Sequence, residues 1–196
     1  EEVADLHKRG YRMAIHGNGD RAIGSILDAY ELALKAYPRS DHRHRIEHVQ
    51  TATVADLDRM QRLNVAGSFF INHVYYWGDR HKKLFLGPER ARRISPLAEA
   101  VDRDLLFTLH SDCPVTPASP LFSVWAAVNR ITRDGEILGP EQKIDVETAI
   151  RTMTIYGAQL NFDEDHSGSI EIGKQADFAV LAEDPTAIDP EDIKDI

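Results

Sequence analysis

Tyr11-Arg-Met-Ala-Ile-His-Gly-Asn-Gly-Asp-Arg-Ala22 carries the topology of this chain. Tyr11–Ile15 has the composition of a buried strand, and it runs directly into His16. Gly17, Gly19 and Asp20 turn the chain, and a helical pattern starts at Arg21. A strand that delivers a histidine onto a glycine-rich turn ahead of a helix is a βα unit with chemistry at the strand's C-terminal end. Two later strands finish the same way, Arg45-Ile-Glu-His48 and Leu105-Leu-Phe-Thr-Leu-His-Ser-Asp112. Their tips, His16, His48 and Asp112, converge only if the strands are parallel and adjacent.

Outward from that unit the same alternation repeats. Ala22, Ile23, Ile26, Leu27, Tyr30, Ala33 and Leu34 follow helical spacing, with Pro38 just beyond. Strand Arg45–Val49 comes next. Thr53 and Asp56 form a capping box ahead of a helix lined by Val54, Leu57, Met60 and Leu63. Val65–Phe69 is a further strand. The segment from Phe70 to His81, rich in aromatic and basic groups, reads as a long loop, a form that is often functional. Gly87-Pro88 opens a broken helical region ending near Asp102. Strand Leu105–Leu109 is apolar but for Thr108, as a strand buried on both faces should be. Leu121, Val124, Trp125, Val128 and Ile131 mark a helix, a turn-rich stretch runs from Thr132 to Gln142, and a last helical stretch covers Val146 to Leu160. Helices and strands therefore alternate as in an α/β protein with a parallel sheet. The tail from Gly168 to Leu181 reads as two short strands around a Gly173-Lys174 turn.

Upstream, Glu1–Gly10 reads as the end of a helix with Val3 and Leu6 inward, and the chain looks like a piece of something longer. Its formal net charge of −9 argues against a nucleic acid or an anionic membrane as partner. No apolar run reaches the roughly 18 residues of a membrane span, and no signal peptide opens the chain. Cys113 is alone, so neither a disulfide framework nor a thiolate zinc cluster is available, and a reducing, cytoplasmic compartment fits.

Two imidazoles and a carboxylate at equivalent strand tips suit zinc or a similar divalent ion. The set also suits hydrolysis, because bound metal lowers the pKa of its water toward about 7. Asp112 is the candidate proton shuttle as well as a metal ligand. His73 and Trp77 are candidates for lining a small-molecule substrate pocket. A rival reading takes Gly17, Gly19 and Ala22 as a dinucleotide fingerprint, with Glu47 as the ribose-binding acid. Asp20 would repel the phosphates there, and His16, His48 and Asp112 would be left without a purpose. His42-Arg-His44 is a metal-like pair on the wrong side of its strand. His44 lies roughly 13 Å before His48 along that strand, and both residues read as solvent-exposed. Cys113 reads as a small packed residue.

With these residues assembled, the chain resembles the amidohydrolase superfamily, in particular its N-substituted formamide deformylase branch. The resemblance rests on His16-Gly-Asn-Gly-Asp-Arg-Ala22, Arg45-Ile-Glu-His-Val-Gln50 and His110-Ser-Asp-Cys-Pro-Val115. Leu86-Gly-Pro-Glu-Arg90, Ala127-Val-Asn-Arg130 and Gly168–Asp177 extend it over nearly the whole chain. It implies the C-terminal half of a (β/α)8 barrel over residues 1–165, strands five to eight, and a share of a small β-sandwich over 166–196. It further implies that His16, His48 and Asp112 bind one or two divalent ions, most simply zinc, and that a C–N bond of amide or formamide type is hydrolysed. The first-strand His-x-His of that family would precede Glu1, so this piece is expected to be inactive alone. A non-catalytic regulatory protein on the same fold remains the other alternative. A half-barrel leaves two open sheet edges, which leads to the expectation that a free fragment forms a homo-oligomer or pairs with the remaining half.

Overall fold

The computed structural model describes residues 1–196. Helix α1 (Glu2–Lys8) leads into strand β1 (Ala14–Gly17), and α2 (Asp20–Ala36) returns the chain to β2 (Arg45–His48). Helix α3 (Val54–Leu63) then precedes β3 (Ala66–Phe69). After it come α4 (His73–Arg80), a π-helical turn (His81–Phe85), α5 (Gly87–Ala91) and α6 (Leu97–Val101). Strand β4 (Phe107–Leu109) is followed by α7 (Pro120–Asn129), α8 (Val146–Met153) and α9 (Ile155–Asn161). The four strands form one parallel sheet in sequence order, so the tips of β1 and β2 are neighbours as expected, whereas β3 lies between β2 and β4 and sets the third tip one strand further along. No helix is long and apolar enough to cross a membrane.

Pattern explains placement. Ile15, Ile46, Gly67 and Phe107 share one register row, whose Ile46 faces the helices beside Ile23 and Ile26 of α2. His16, Glu47, Ser68 and Thr108 form the adjacent row and face the other way. Ile23, Leu27, Leu57, Met60, Phe69 and Phe107, all at most 1% exposed, fill the layer between sheet and helices. Thr53 caps α3 as predicted: its hydroxyl accepts from the Asp56 N–H while the Asp56 carboxylate accepts from the Thr53 N–H.

Five expectations change. The segment after Phe70 is a helix rather than a loop. The tail between Gly168 and Leu181 forms no strand, although Ile170, Ile172, Phe178 and Val180 alternate in an exposed apolar pattern. Of the apolar residues for which an open β4 edge implied an outside partner, Leu105, Phe107 and Leu109 are already buried and Leu106 is half-buried, and α8 and α9 pack on β4. Cys113 is exposed, beyond the end of β4 where no packed layer reaches it.

His42 and His44 are the fifth correction, because both are buried, His44 against His7 of α1 and Tyr30 of α2 and His42 against Leu63 of α3. Their bonds fix every proton. His42 Nδ1 accepts from the His44 N–H (2.9 Å), so its Nε2–H donates to the Leu63 carbonyl (2.9 Å). His44 Nδ1 accepts from the Met13 N–H (3.2 Å), so its Nε2–H donates to His7 Nδ1 (2.8 Å). His7 then donates to the Tyr37 carbonyl (2.6 Å). Arg39 adds a further donor at 3.2 Å from His7 Nδ1, and Tyr30 stacks on His44. A further proton on His42 or His44 would set N–H against N–H. Burial accordingly holds His42 low and pushes His44 down to about 3.

Both folded values lie below the unfolded one, so the stability contributed by the neutral rings is complete above about pH 6.5 and is lost as pH falls toward 3. For His44 that loss runs at up to about 1.4 kcal/mol per pH unit, and His42 adds to it in the same direction. The urea midpoint of the protein should be flat from pH 8 to 7 and fall steeply from 6.5 to 5. His44→Phe should flatten that slope, whereas an unchanged wild-type midpoint at pH 5 would contradict the proton-ordered network.

Candidate metal centre

Strand β1 ends where Gly17 presses under Ile46. A Cβ on Gly17 would stand 2.6 Å from Ile46 Cγ2 and 2.9 Å from Ile26 Cδ1. The glycine therefore lets α2 pack on the sheet directly behind His16. Strand β2 stops because His48 (φ 75°) and Val49 (φ 49°) are both left-handed, a conformation that is costly for a β-branched residue and recurs at functional sites. Together these local geometries set the His16 and His48 rings edge to face, with centroids 4.5 Å apart. Asp112, also left-handed (φ 52°), follows β4 at the same end, and its charge acts on both His48 and His110. The structure thus brings the predicted three residues to one end of the sheet.

Further imidazoles stand around them. His110 lies 5.0 Å and His73 6.1 Å from His48, centroid to centroid. Trp77, one turn along α4, lies 5.6 Å from His73 and 5.9 Å from Phe70, so the predicted pocket pair does border the site. His81 extends the cluster at 6.0 Å from His73 and meets the Gln50 amide at 2.8 Å. His110 and His81 were not among the predicted site residues. His110 stood in a recognised motif without a role, and nothing in local sequence links His81 to Gln50.

Burial keeps these rings neutral. It lowers His48, with the charge of His16 adding to the effect and Asp112 opposing it. Burial likewise pushes His110 down to about 4 and His73 down to about 3. Neutral imidazole is the form that donates a lone pair to a metal or a hydrogen bond. The lone pairs and polar atoms are also unspent. Eight buried side-chain polar atoms in the chain lack a partner, and five belong to this region: Asn18 Oδ1, His48 Nδ1, His73 Nδ1, His81 Nδ1 and His110 Nε2. Each such atom costs about 1–3 kcal/mol, so their concentration at one end of one sheet marks a ligand position.

The donor chemistry fits a divalent ion, with His16 and His48 as a pair of nitrogens close enough to share one. Still, no three His, Cys, Asp or Glu side chains of this chain are grouped so as to hold a metal by themselves. The pair is one part of a site. The dinucleotide alternative loses its support: Gly17 serves packing, and Gly19 has open space around it. Asp20 is engaged by the Arg21 N–H and by Arg90 at 2.9 Å, where phosphate would have to lie.

A family model described as "Amidohydrolase family" matches residues 1–196. Protein LONG AFTER FAR-RED 3 of Arabidopsis thaliana is 36% identical over 177 residues, spanning 89% of this chain and 30% of the relative. N-substituted formamide deformylase of Arthrobacter pascens is 32% identical over 188 residues, spanning 94% and 34%. Among solved structures, an uncharacterized metal-dependent hydrolase from Pyrococcus furiosus superposes with a TM-score of 0.77 at 27% identity. That superposition covers 94% of this chain and 37% of the hydrolase. The chain therefore spans about a third of the length of the curated relatives it matches.

Proposed function

The chain belongs to the amidohydrolase family, and from that premise we propose that the complete protein is a metal-dependent hydrolase of a non-peptide C–N bond of amide or formamide type. The single observation that carries this reading is the pairing of His16 and His48 at 4.5 Å among buried polar atoms that have no partner. The name of the Arthrobacter relative points to the same reaction class. In this reading β1 to β4 are strands five to eight of a (β/α)8 barrel, residues 1–165 are its C-terminal half, and 166–196 belong to a small β-sandwich. The row His16, Glu47, Ser68 and Thr108 then faces the barrel lumen, and the outer edges of β1 and β4 receive the rest of the protein or a second copy.

His16 and His48 would hold the ion, with Asp112 as a further ligand and the remaining ligands supplied from outside this sequence. A divalent ion there, most simply zinc, supplies a Lewis acid and a water that ionises near neutral pH. Asp112 accepts a proton as the C–O bond forms and returns it to the nitrogen as the C–N bond breaks. His73 and Trp77 border the substrate. The experiment is turnover of small primary and secondary amides by the complete protein, before and after chelation. Activity that chelator abolishes and zinc restores is the expected result, and chelator-resistant turnover would refute the metal role. A second reading, a non-catalytic member on the same fold, would be selected by absence of turnover with metal bound.

A further inference from the structure

Asp112 lies in an exposed turn past β4, and its carboxylate has no hydrogen bond to hold it in place. Its aim therefore depends on the backbone that carries it. That backbone is left-handed at Asp112 (φ 52°), and the Val115 N–H closes the turn by donating to the Asp112 carbonyl at 2.8 Å.

One buried side chain fastens this turn to the core. The Thr116 hydroxyl donates to the Ser111 carbonyl, which accepts no other hydrogen bond. A carbonyl can only accept, so the hydroxyl proton points at Ser111 and Thr116 Oγ1 is left to accept. Asn72 supplies the donor, with its Nδ2 at 2.9 Å from Thr116 Oγ1. The Asn72 oxygen in turn accepts from the Ser123 hydroxyl at 3.2 Å. Three buried side chains, from the turn past β4, the start of α4 and the body of α7, thus form one relay. The acceptor-only carbonyl at its end fixes the direction of every bond.

Asn72 gives up a local preference to join this relay. It is the N-cap residue of α4, where asparagine ordinarily accepts from a first-turn N–H, and it makes no such bond here. Departures of this kind from local rules concentrate at functional sites.

We propose that Thr116, oriented by Asn72 and Ser123, is a positioning residue that holds the Asp112 carboxylate where it moves protons. This rests on the proton-shuttle reading of Asp112 above. Thr116 touches no reacting atom and acts through Ser111 and the turn that Ser111 opens. A displacement of about 1 Å in a reacting group costs up to roughly 10²-fold in rate.

The test uses the complete, metal-loaded protein. Thr116→Val keeps the side chain's shape and removes the bond to Ser111. It should lower kcat on an amide substrate by about ten- to hundredfold, while KM and metal content stay within about twofold. Thr116→Ser restores the hydroxyl and should recover most of the loss. In the Asp112→Asn background, Thr116→Val should cost less than about twofold more, because the group it positions is already gone. A crystal structure of Thr116→Val should show the Asp112 Cα shifted by about 1 Å or spread over two places. Ser123→Ala removes only the outermost bond and should show the same split in kcat at about two- to fivefold, the weight of one neutral hydrogen bond. That variant decides the matter if Thr116→Val does not fold. An equal loss in the wild-type and Asp112→Asn backgrounds would overturn the inference and leave the hydrolase reading intact, as would unchanged kcat or an unmoved Asp112 in the variant crystal. Full activity of Asp112→Asn would overturn the shuttle reading and this one with it. Absence of turnover by metal-loaded wild type would overturn the hydrolase reading itself.

Discussion

Replacing Asp112 by Asn in the complete protein is expected to lower kcat on an amide substrate by roughly 10²–10⁴-fold, the usual contribution of a positioned general acid–base. The substitution keeps size and shape. Asp112 is exposed, takes part in no hydrogen bond that the fold depends on, and lies in a left-handed conformation that Asn adopts readily. Folding stability should therefore stay within about 0.5 kcal/mol of wild type. Because His16 and His48 remain, most of the bound metal should remain too. Steady-state kinetics beside metal analysis check both halves: activity within threefold of wild type would remove Asp112 from the chemistry.

The largest effect on stability is expected at Arg130, far from any reacting atom. Its side chain is fully buried, with no carboxylate among its partners. Nε donates to the Leu138 carbonyl (2.8 Å), and the two terminal nitrogens donate to Ser95 (3.1 Å) and Ile94 (2.7 Å). Burial lowers its pKa to about 10, so it stays charged at neutral pH. One guanidinium thus closes the end of α7 onto two loops, and the Ser95 N–H in turn bonds the Gln50 carbonyl (2.8 Å), two residues past His48. Arg130→Met strands the buried Leu138 and Ile94 carbonyls at about 1–3 kcal/mol each and takes one of two donors from the Ser95 carbonyl, which keeps the Leu97 N–H. A loss of roughly 3–5 kcal/mol in urea unfolding is expected, a large share of a typical domain's stability. Arg130→Lys should recover only part of it, since an ammonium lacks the planar fork. A loss below about 1 kcal/mol for Arg130→Met would show that the loops close without the clamp.

Much of this architecture was legible in the sequence because two periods alternate cleanly. The apolar spacing of Ile23, Ile26, Leu27 and Tyr30 placed α2, and short apolar runs ending in His16, His48 and Asp112 placed the strand tips. The readings that failed lacked information that only tertiary contacts supply. His73–Arg80 mixes aromatic, glycine and charged residues, and its helix shows only once Val74 and Gly78 pack inward. His44 looked exposed because distance along a strand says which end a residue occupies, not what covers it; α1 and Tyr30 do. The tail reversed the error. Ile170 and Ile172, 84% and 109% exposed, alternate as strand residues should, but a strand needs a hydrogen-bonding neighbour and this chain offers none there. The unpartnered nitrogens of His48, His73, His81 and His110 could not be read in advance, because an unspent hydrogen-bonding atom is a property of three-dimensional surroundings.

Metal content of the complete protein, wild type against the His16→Ala, His48→Ala double variant, bears most directly on the central claim that these two strand tips share an ion. Plasma emission spectrometry after gel filtration should find about one or two divalent ions per wild-type chain. In the double variant at least one of them should be gone, with the fold intact by circular dichroism. Equal metal in the two proteins would contradict the shared site and, with it, the hydrolytic role assigned to this end of the sheet.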